Sequence, residues 1–277
     1  ILVAHLCGGS ESGSIDDSIR HAITKFAHVH FPSSEAHADR IIQMGEDPAS
    51  VHVVGLPGAN LKEDITFSRE QICSRFGLPE DRPYILVVQH SVTHSQSGAA
   101  FQITETLEAA VSCGYPVLLG NPNDDAGGRT ILAKMQEYAG VHQELKVLPP
   151  PGDREMFASI TGHAGVLVGN SSSAVAEAMS VPVPVVNIGD RQSGREHLAC
   201  WINVEHDRTE ILNAIHDATG EGPYMDRLRS FHSPLIRRDT NDLVVNLLKV
   251  TNLERASMPK KFHLVANPVS NLPVGEP

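Results

Sequence analysis

The chain carries no excess of basic charge. Its 277 residues hold 22 Lys and Arg against 33 Asp and Glu, a formal net charge of -11. Nucleic acids and anionic membrane surfaces bind through a basic footprint, so neither is expected as a partner. A small anionic ligand stays open, because a site can be locally positive inside an acidic protein. Long apolar runs are missing too, and no transmembrane helix is expected. Cysteine is sparse. Cys7, Cys73, Cys113 and Cys200 fall in no CxxC or other metal spacing, which speaks against a disulfide framework and for a reducing, cytoplasmic setting. Neither an HExxH motif nor a signal-peptide pattern is present. An opening Met is also lacking. The chain begins with ILVAHL, which reads as a buried strand with no turn before it. The expectation is that the N-terminal part of the first domain is missing.

What is present is a regular alternation. YILVVQ (84–89), PVLLG (116–120), LKVL (145–148), GVLVG (165–169) and VPVPVVNI (181–188) are apolar, β-branched runs. Between them, Ile103, Leu107, Ala110 and Val111, then Ile131, Leu132, Met135 and Tyr138, recur at helical spacing. Further helices fit 154–161, 173–180 and 208–218. Strands alternating with helices of this length predict βαβ units and a doubly wound parallel sheet. Residues 1–60 read as part of a second such domain. ILVAHL, HVHFP and VHVVG are its strands. One helix has Ile15, Ile19, Ile23 and Phe26 on one face, and another starts at a serine cap and stops at Gly45. A linker is expected over 56–82, with a short helix around 68–76. The division expected is 1–66, 67–254 and a loosely ordered tail, 255–277.

In open parallel sheets, ligands sit beyond the carboxyl ends of the strands. Four polar loops lie there: HSVTHS, GNPNDDAGG, GNSSSAVAE and GDRQSGRE. In GNSSS, one serine suffices to cap a helix. Three hydroxyls beside Gly169, where a helix offers free N–H groups, suggest an anion such as phosphate. Glu177 either accepts from a sugar hydroxyl pair or is a solvated helix residue. Arg191 and Arg195 either fork onto phosphate oxygens or pair with a nearby acid. His90 and His94 are spaced i, i+4, but no third metal ligand follows at a recognisable spacing, so His90 is better read as a sugar or phosphate contact. His28 and His30 share one side of a short strand, where a partly buried histidine is the plain reading. Asp16 and Asp17 lie in the first turn of a helix, where the dipole favours carboxylates.

The stretches GSIDDSIRHAITKFAHVHF, RIIQMGEDPASVHVVGLPG, GHAGVLVGNSSSAVAEA and VVNIGDRQSGRE together resemble the UDP-N-acetylglucosamine 2-epimerase family. They are most similar to its hydrolysing, N-acetylmannosamine-forming branch. The resemblance runs from residue 1 to about residue 250. It implies an α/β, GT-B-like fold of two Rossmann-like doubly wound parallel-sheet domains, the first incomplete here. It implies anti elimination of UDP from UDP-N-acetylglucosamine, then addition of water, in sialic-acid-type sugar synthesis. It implies a UDP-sugar partner and a homo-oligomer, with no NAD and no essential metal. On the matching positions, Ser171 and Ser172 are implied to hold the diphosphate, and Glu177 the ribose. His90, Asn123 and Arg191 are implied to contact UDP, Asp16 to be a catalytic carboxylate, and His30 to be tied to activity.

Two positions depart from the family pattern. Cys7 stands where the family has Glu or His, and Ser10 where it has an acid, with Glu11 one place on as a substitute. If these 277 residues are the whole molecule, little or no turnover is expected. Other readings stay open: a non-hydrolysing epimerase, a related UDP-diacetamido-sugar hydrolase, and a UDP-binding chain without catalysis. A GT-B glycosyltransferase fits less well, since no acceptor site is visible.

Overall fold

A computed structural model of the chain describes residues 1–12, 16–92, 98–150, 153–172, 178, 180–194, 201–220, 222–230, 233, 235–252 and 259–264. Two compact units form. The first comprises Ile1–Ser10, Ser18–Pro57 and Arg237–Pro277, and the second Glu11–Asp17 and Gly58–Ile236. The chain runs through β1 (Ala4–Leu6), α1 (Asp16–Phe26), β2 (Val29–Phe31) and α2 (Glu35–Gln43). It continues through α3 (Leu61–Asp64), α4 (Arg69–Phe76), β3 (Ile85–Val88), α5 (Ala99–Ser112), β4 (Val117–Leu119) and α6 (Gly128–Ala139). Then follow β5 (Leu145–Val147), α7 (Arg154–Gly162), β6 (Val166–Gly169), β7 (Val185–Ile188), β8 (Trp201–Val204), α8 (Arg208–Thr219), α9 (Pro223–Ser230) and α10 (Thr240–Val250).

In the first unit β1 and β2 pair in parallel, Leu6 opposite Phe31. The expected strand VHVVG contributes a single bridge, His30 to Val51. Val29, Phe31 and Val54 form a small core, and Leu243, Val244 and Leu247 of α10 pack onto it. Thr240 fixes that helix by donating to Val54 O at 2.7 Å. The sequence reading put residues 240–250 with the second domain. They group with the first because the apolar face of α10 covers this core. The apolar face of α1 is not the face it buries. Ile19, Ile23 and Phe26 are exposed, and the buried residue of the helix is Thr24. The Thr24 hydroxyl meets His5 Nδ1 at 3.2 Å. Ser34 caps α2, accepting from His37 N, and the chain reverses at Gly45 with φ 90°.

Residues 259–264 were expected within a loose tail, yet they are held. Lys260 Nζ lies 2.6 Å from Glu46, a carboxylate only 2% exposed, and Lys25 Nζ lies at the same distance. Lys260 also donates to Ala27 O at 2.5 Å and Lys25 O at 2.9 Å, capping the last carbonyls of α1 as a cation should. Phe262 packs on Gly45, where a Cβ would meet its ring at 2.4 Å, and its ring faces the Lys25 ammonium at 5.1 Å. Burial works to raise the Glu46 pKa. The hydrogen bonds from Lys25 and Lys260 outweigh it and hold the carboxyl below its usual range.

The second unit is a six-stranded parallel sheet in the order β5-β4-β3-β6-β7-β8. Its four inner strands, β3, β4, β6 and β7, are buried on both faces, which is why they read as continuous apolar runs. Ile85, Val87, Val117, Leu119, Val166, Val168, Val186 and Ile188 pack against α5, α6 and α8. The other face carries Leu86, Val88, Leu118, Leu167 and Val185, met by Leu61, Ile72, Cys73, Ala158, Ile160 and Leu228. The expected linker is therefore largely built into this unit, since Leu61 and Ile72 are fully buried in its core. β8 was not anticipated: WINV is a short, partly exposed edge strand. Strand order reverses direction between β3 and β6, the topological switch point where such sheets hold ligands.

Candidate functional site

The rim at the carboxyl ends of β3 and β6 is built by one close approach. The ladder ends with Val88 opposite Gly169. Gly169 has φ 136°, and a Cβ there would lie 2.1 Å from Val88 O. Only glycine brings the two backbones this near. Asn170 follows, fully buried, with its N–H donating to Val88 O. Its Oδ1 accepts from His90 N at 2.7 Å, and its Nδ2 donates to His90 O at 3.0 Å. Its backbone oxygen accepts from Arg191 Nη1 and Gln192 Nε2, both at 2.9 Å.

His90 is tied in turn to the loop after β4: Asn123 N donates to His90 Nδ1 at 3.0 Å. Burial and then the Arg191 charge push the His90 pKa down to about 4, against the pull of Asp125. The ring is neutral at physiological pH. With Nδ1 accepting, its proton sits on Nε2, which is left as a donor. Burial also lowers the Arg191 pKa, opposed by Asp125 and Asp16, but guanidinium remains charged at any ordinary pH. Ser171 is buried and Ser172 half-buried beside it. Four of the expected ligand residues, His90, Asn123, Ser171 and Arg191, thus stand on loops joined by hydrogen bonds around Asn170, with Ser172 adjacent.

Helix starts along the rim differ in character. α7 and α8 are capped by Asp153 and Asp207, whose carboxylates accept backbone N–H bonds. α5 and α6 begin at Gly98 and Gly127, with neither a side-chain cap nor an acid in the first turn. The helix ends without acidic caps therefore flank β3 and β4, with Asp125 just ahead of α6, and such ends favour an anion. Among the described residues no group of three or more His, Cys, Asp or Glu is placed to hold a metal.

Of the expected catalytic residues, Glu11 and Asp16 belong to the second unit, and the Asp16 charge acts on Arg191. Asp17 is committed to its own loop: Ser12 N donates to both carboxylate oxygens at 2.9 and 3.1 Å, and Ser12 Oγ to Oδ1 at 2.8 Å. Asp16 is exposed and Glu11 half-buried. His30, by contrast, is fully buried, with Nε2 3.0 Å from Glu46. Burial drives its pKa down to about 4, so it is a neutral member of the Glu46 cluster rather than a group open to solvent. Cys7 follows β1 with φ 60°, the non-glycine residue of positive φ among those described, and its oxygen accepts from Ser10 Oγ. Glu177, His94, Arg195 and most of the helix expected over 173–180 lie outside the described residues. The sequence reading passed over Asn170 and Gln192 as site residues, although both stand inside the motifs it singled out.

The UDP-N-acetylglucosamine 2-epimerase family model matches residues 1–249. The chain is 33% identical over 219 residues to a Legionella pneumophila protein named UDP-N,N'-diacetylbacillosamine 2-epimerase (hydrolyzing), covering 79% of this chain and 58% of that protein. It is 34% identical over 228 residues to the UDP-N-acetylglucosamine 2-epimerase of Neisseria meningitidis, covering 80% of this chain and 58% of that protein. The chain thus spans somewhat more than half the length of these relatives. The crystal structure of UDP-GlcNAc 2-epimerase from Neisseria meningitidis bound to UDP-GlcNAc superposes with a TM-score of 0.76 at 14% identity, over 91% of this chain and 70% of that one. That likeness shows an α/β, GT-B-like fold. None of the described helices is long and apolar enough to cross a membrane.

Proposed function

The chain belongs to the UDP-N-acetylglucosamine 2-epimerase family, and we propose that it serves the hydrolysing reaction, converting UDP-N-acetylglucosamine to UDP and N-acetylmannosamine. The observation that carries this reading is the rim at the switch point. A neutral imidazole with an Nε2–H donor, a guanidinium and serine hydroxyls stand together beside helix ends free of acidic caps. That is a donor set for a nucleoside diphosphate leaving group. In the proposed reaction a base removes the C2 proton. The C1–O bond breaks with its electrons leaving on UDP, and a C1=C2 double bond forms. Water then adds its oxygen to C1, while C2 is reprotonated on its other face. Ser171, Ser172, Arg191, His90 and Asn123 hold UDP in this scheme, and Glu177 the ribose. Asp16 handles a proton at C2, with Glu11 as the second carboxylate. His30, being buried, acts as a positioning residue. The relative named as hydrolyzing supports the free sugar as product.

The test is incubation of the purified protein with UDP-N-acetylglucosamine, with UDP and sugar followed by NMR. UDP plus free N-acetylmannosamine supports the hydrolysing reading, whereas an epimerised UDP-sugar overturns it. Arg191→Ala is expected to weaken UDP binding roughly 10- to 100-fold, and Asp16→Asn to abolish turnover with UDP affinity retained. Because Cys7 and Ser10 depart from the family pattern, UDP uptake without sugar release would favour a binding chain that has lost catalysis.

A further inference from the structure

We propose that Asn170 is a positioning residue for this nucleotide site, setting where His90 and Arg191 present their donors. The inference rests on the nucleotide reading above. It stands on geometry internal to the second unit. At Gly169 the β6 backbone leaves its strand conformation, and the last backbone bond to β3 is the one from Asn170 N to Val88 O. The Asn170 side chain takes over. Its amide offers His90 one acceptor and one donor, at 2.7 and 3.0 Å, the same complement that a neighbouring strand would offer. This lengthens the ladder by one residue and fixes the loop after β3.

The backbone oxygen of Asn170 is then turned to the loop after β7, where it accepts from Arg191 and Gln192. One fully buried residue thereby joins three loops, and His90 Nδ1 adds a fourth through Asn123 N. The oxygen and one N–H of the Asn170 amide bond to His90 inside a fully buried residue, and its influence on a ligand runs through these neighbours. Aspartate has nearly the same shape but no Nδ2 donor, and it would set an oxygen against His90 O. An alanine removes both bonds. Charged groups acting on the His90 ring are Arg191 and Asp125, so a guanidinium displaced from its seat also changes the imidazole.

The experiment compares wild type, Asn170→Asp, Asn170→Ala and Met135→Ala, the last a destabilised control in the core on the same sheet. Two readouts are taken. Calorimetry with UDP is expected to show affinity falling roughly 10- to 100-fold in both Asn170 variants, the loss of one or two buried hydrogen bonds. Less than about a twofold change is expected in the control. Imidazole nitrogen NMR of the ligand-free protein is expected to show a neutral Nε2–H ring for His90 in wild type and the control, and mixed tautomers in the Asn170 variants. Folded Asn170 variants that bind UDP like wild type, or a control that loses as much affinity, overturn the proposal. If wild type takes up no UDP, the nucleotide reading falls. The imidazole spectra still decide whether Asn170 places His90, and an unchanged ring in both variants overturns that too.

Discussion

Replacing Lys260 by Met isolates the charge of one side chain while keeping its apolar stem. In the structure the ammonium does two things. It lies 2.6 Å from Glu46, and it donates to the carbonyls of Lys25 and Ala27 at the C-terminal end of α1. Removing one partner of a fully buried ion pair costs ~3–5 kcal/mol. Two facts reduce that here: Lys25 still faces Glu46, and Lys260 is itself 30% exposed, so solvent screens part of the pair. About 2 kcal/mol remains, and at 1.4 kcal/mol per decade that is roughly 30-fold in an opening equilibrium.

The assay is native-state hydrogen exchange, resolved by residue. Amides of α1 and β2 are expected to exchange about 30-fold faster in Lys260→Met. Those of β3 and β6 in the second unit are expected to be unchanged and serve as the internal control. Equal protection of α1 in variant and wild type would refute the reasoning, because Lys260 would then be a bystander on a cluster complete without it.

Two further outcomes follow from the same geometry. His30 and His90 both have pKa values pushed down to about 4, so between pH 4 and 6.5 the unfolded chain binds more protons than the folded one. Stability is therefore fully present above pH 6.5, falls as the pH drops toward 4, and totals a few kcal/mol over both rings. Urea melts at pH 7, 6 and 5 check this, and a flat profile contradicts buried neutral rings. Gly169→Ala places a Cβ against Val88 O at φ 136° and is expected to cost about 3 kcal/mol or more. Gly114→Ala, at φ 77° but with open space around it, costs only about 1 kcal/mol; equal losses in thermal melts would show that strain rather than close approach dominates.

How much of this was legible in the sequence depends on how far apart the partners lie. The inner strands of the second sheet were readable because each is buried on both faces, so composition alone marks it. β8 escaped because an edge strand with a half-exposed pattern lacks that mark. The grouping of α10 was hidden for another reason. Its apolar residues name a face but not the core that receives it, and that core lies 186 residues earlier at the Thr240–Val54 bond. For α1 the stripe of Ile19, Ile23 and Phe26 was visible, but not that the stripe is exposed while Thr24 is buried against His5.

The site divides along the same line. In a parallel sheet every carboxyl end lies on one edge, so loops rich in donors after each strand could be collected from sequence without knowing which were neighbours. That reasoning reached His90, Ser171 and Arg191, while Asn123 came from the family resemblance. It did not reach Asn170, whose role depends on β3 and β6 lying side by side in matched register, bringing together residues 80 positions apart. Strand order is set by the crossovers between strands and not by the strands themselves. His30 is the counterpart in the first unit. Its place on a short apolar strand was visible, but its neutrality comes from burial, and its bond goes to a Glu46 held by Lys25 and Lys260 from two other segments. Residue types near a strand end therefore announce what chemistry a site can offer, while the side chains that aim them are chosen by the packing of distant segments.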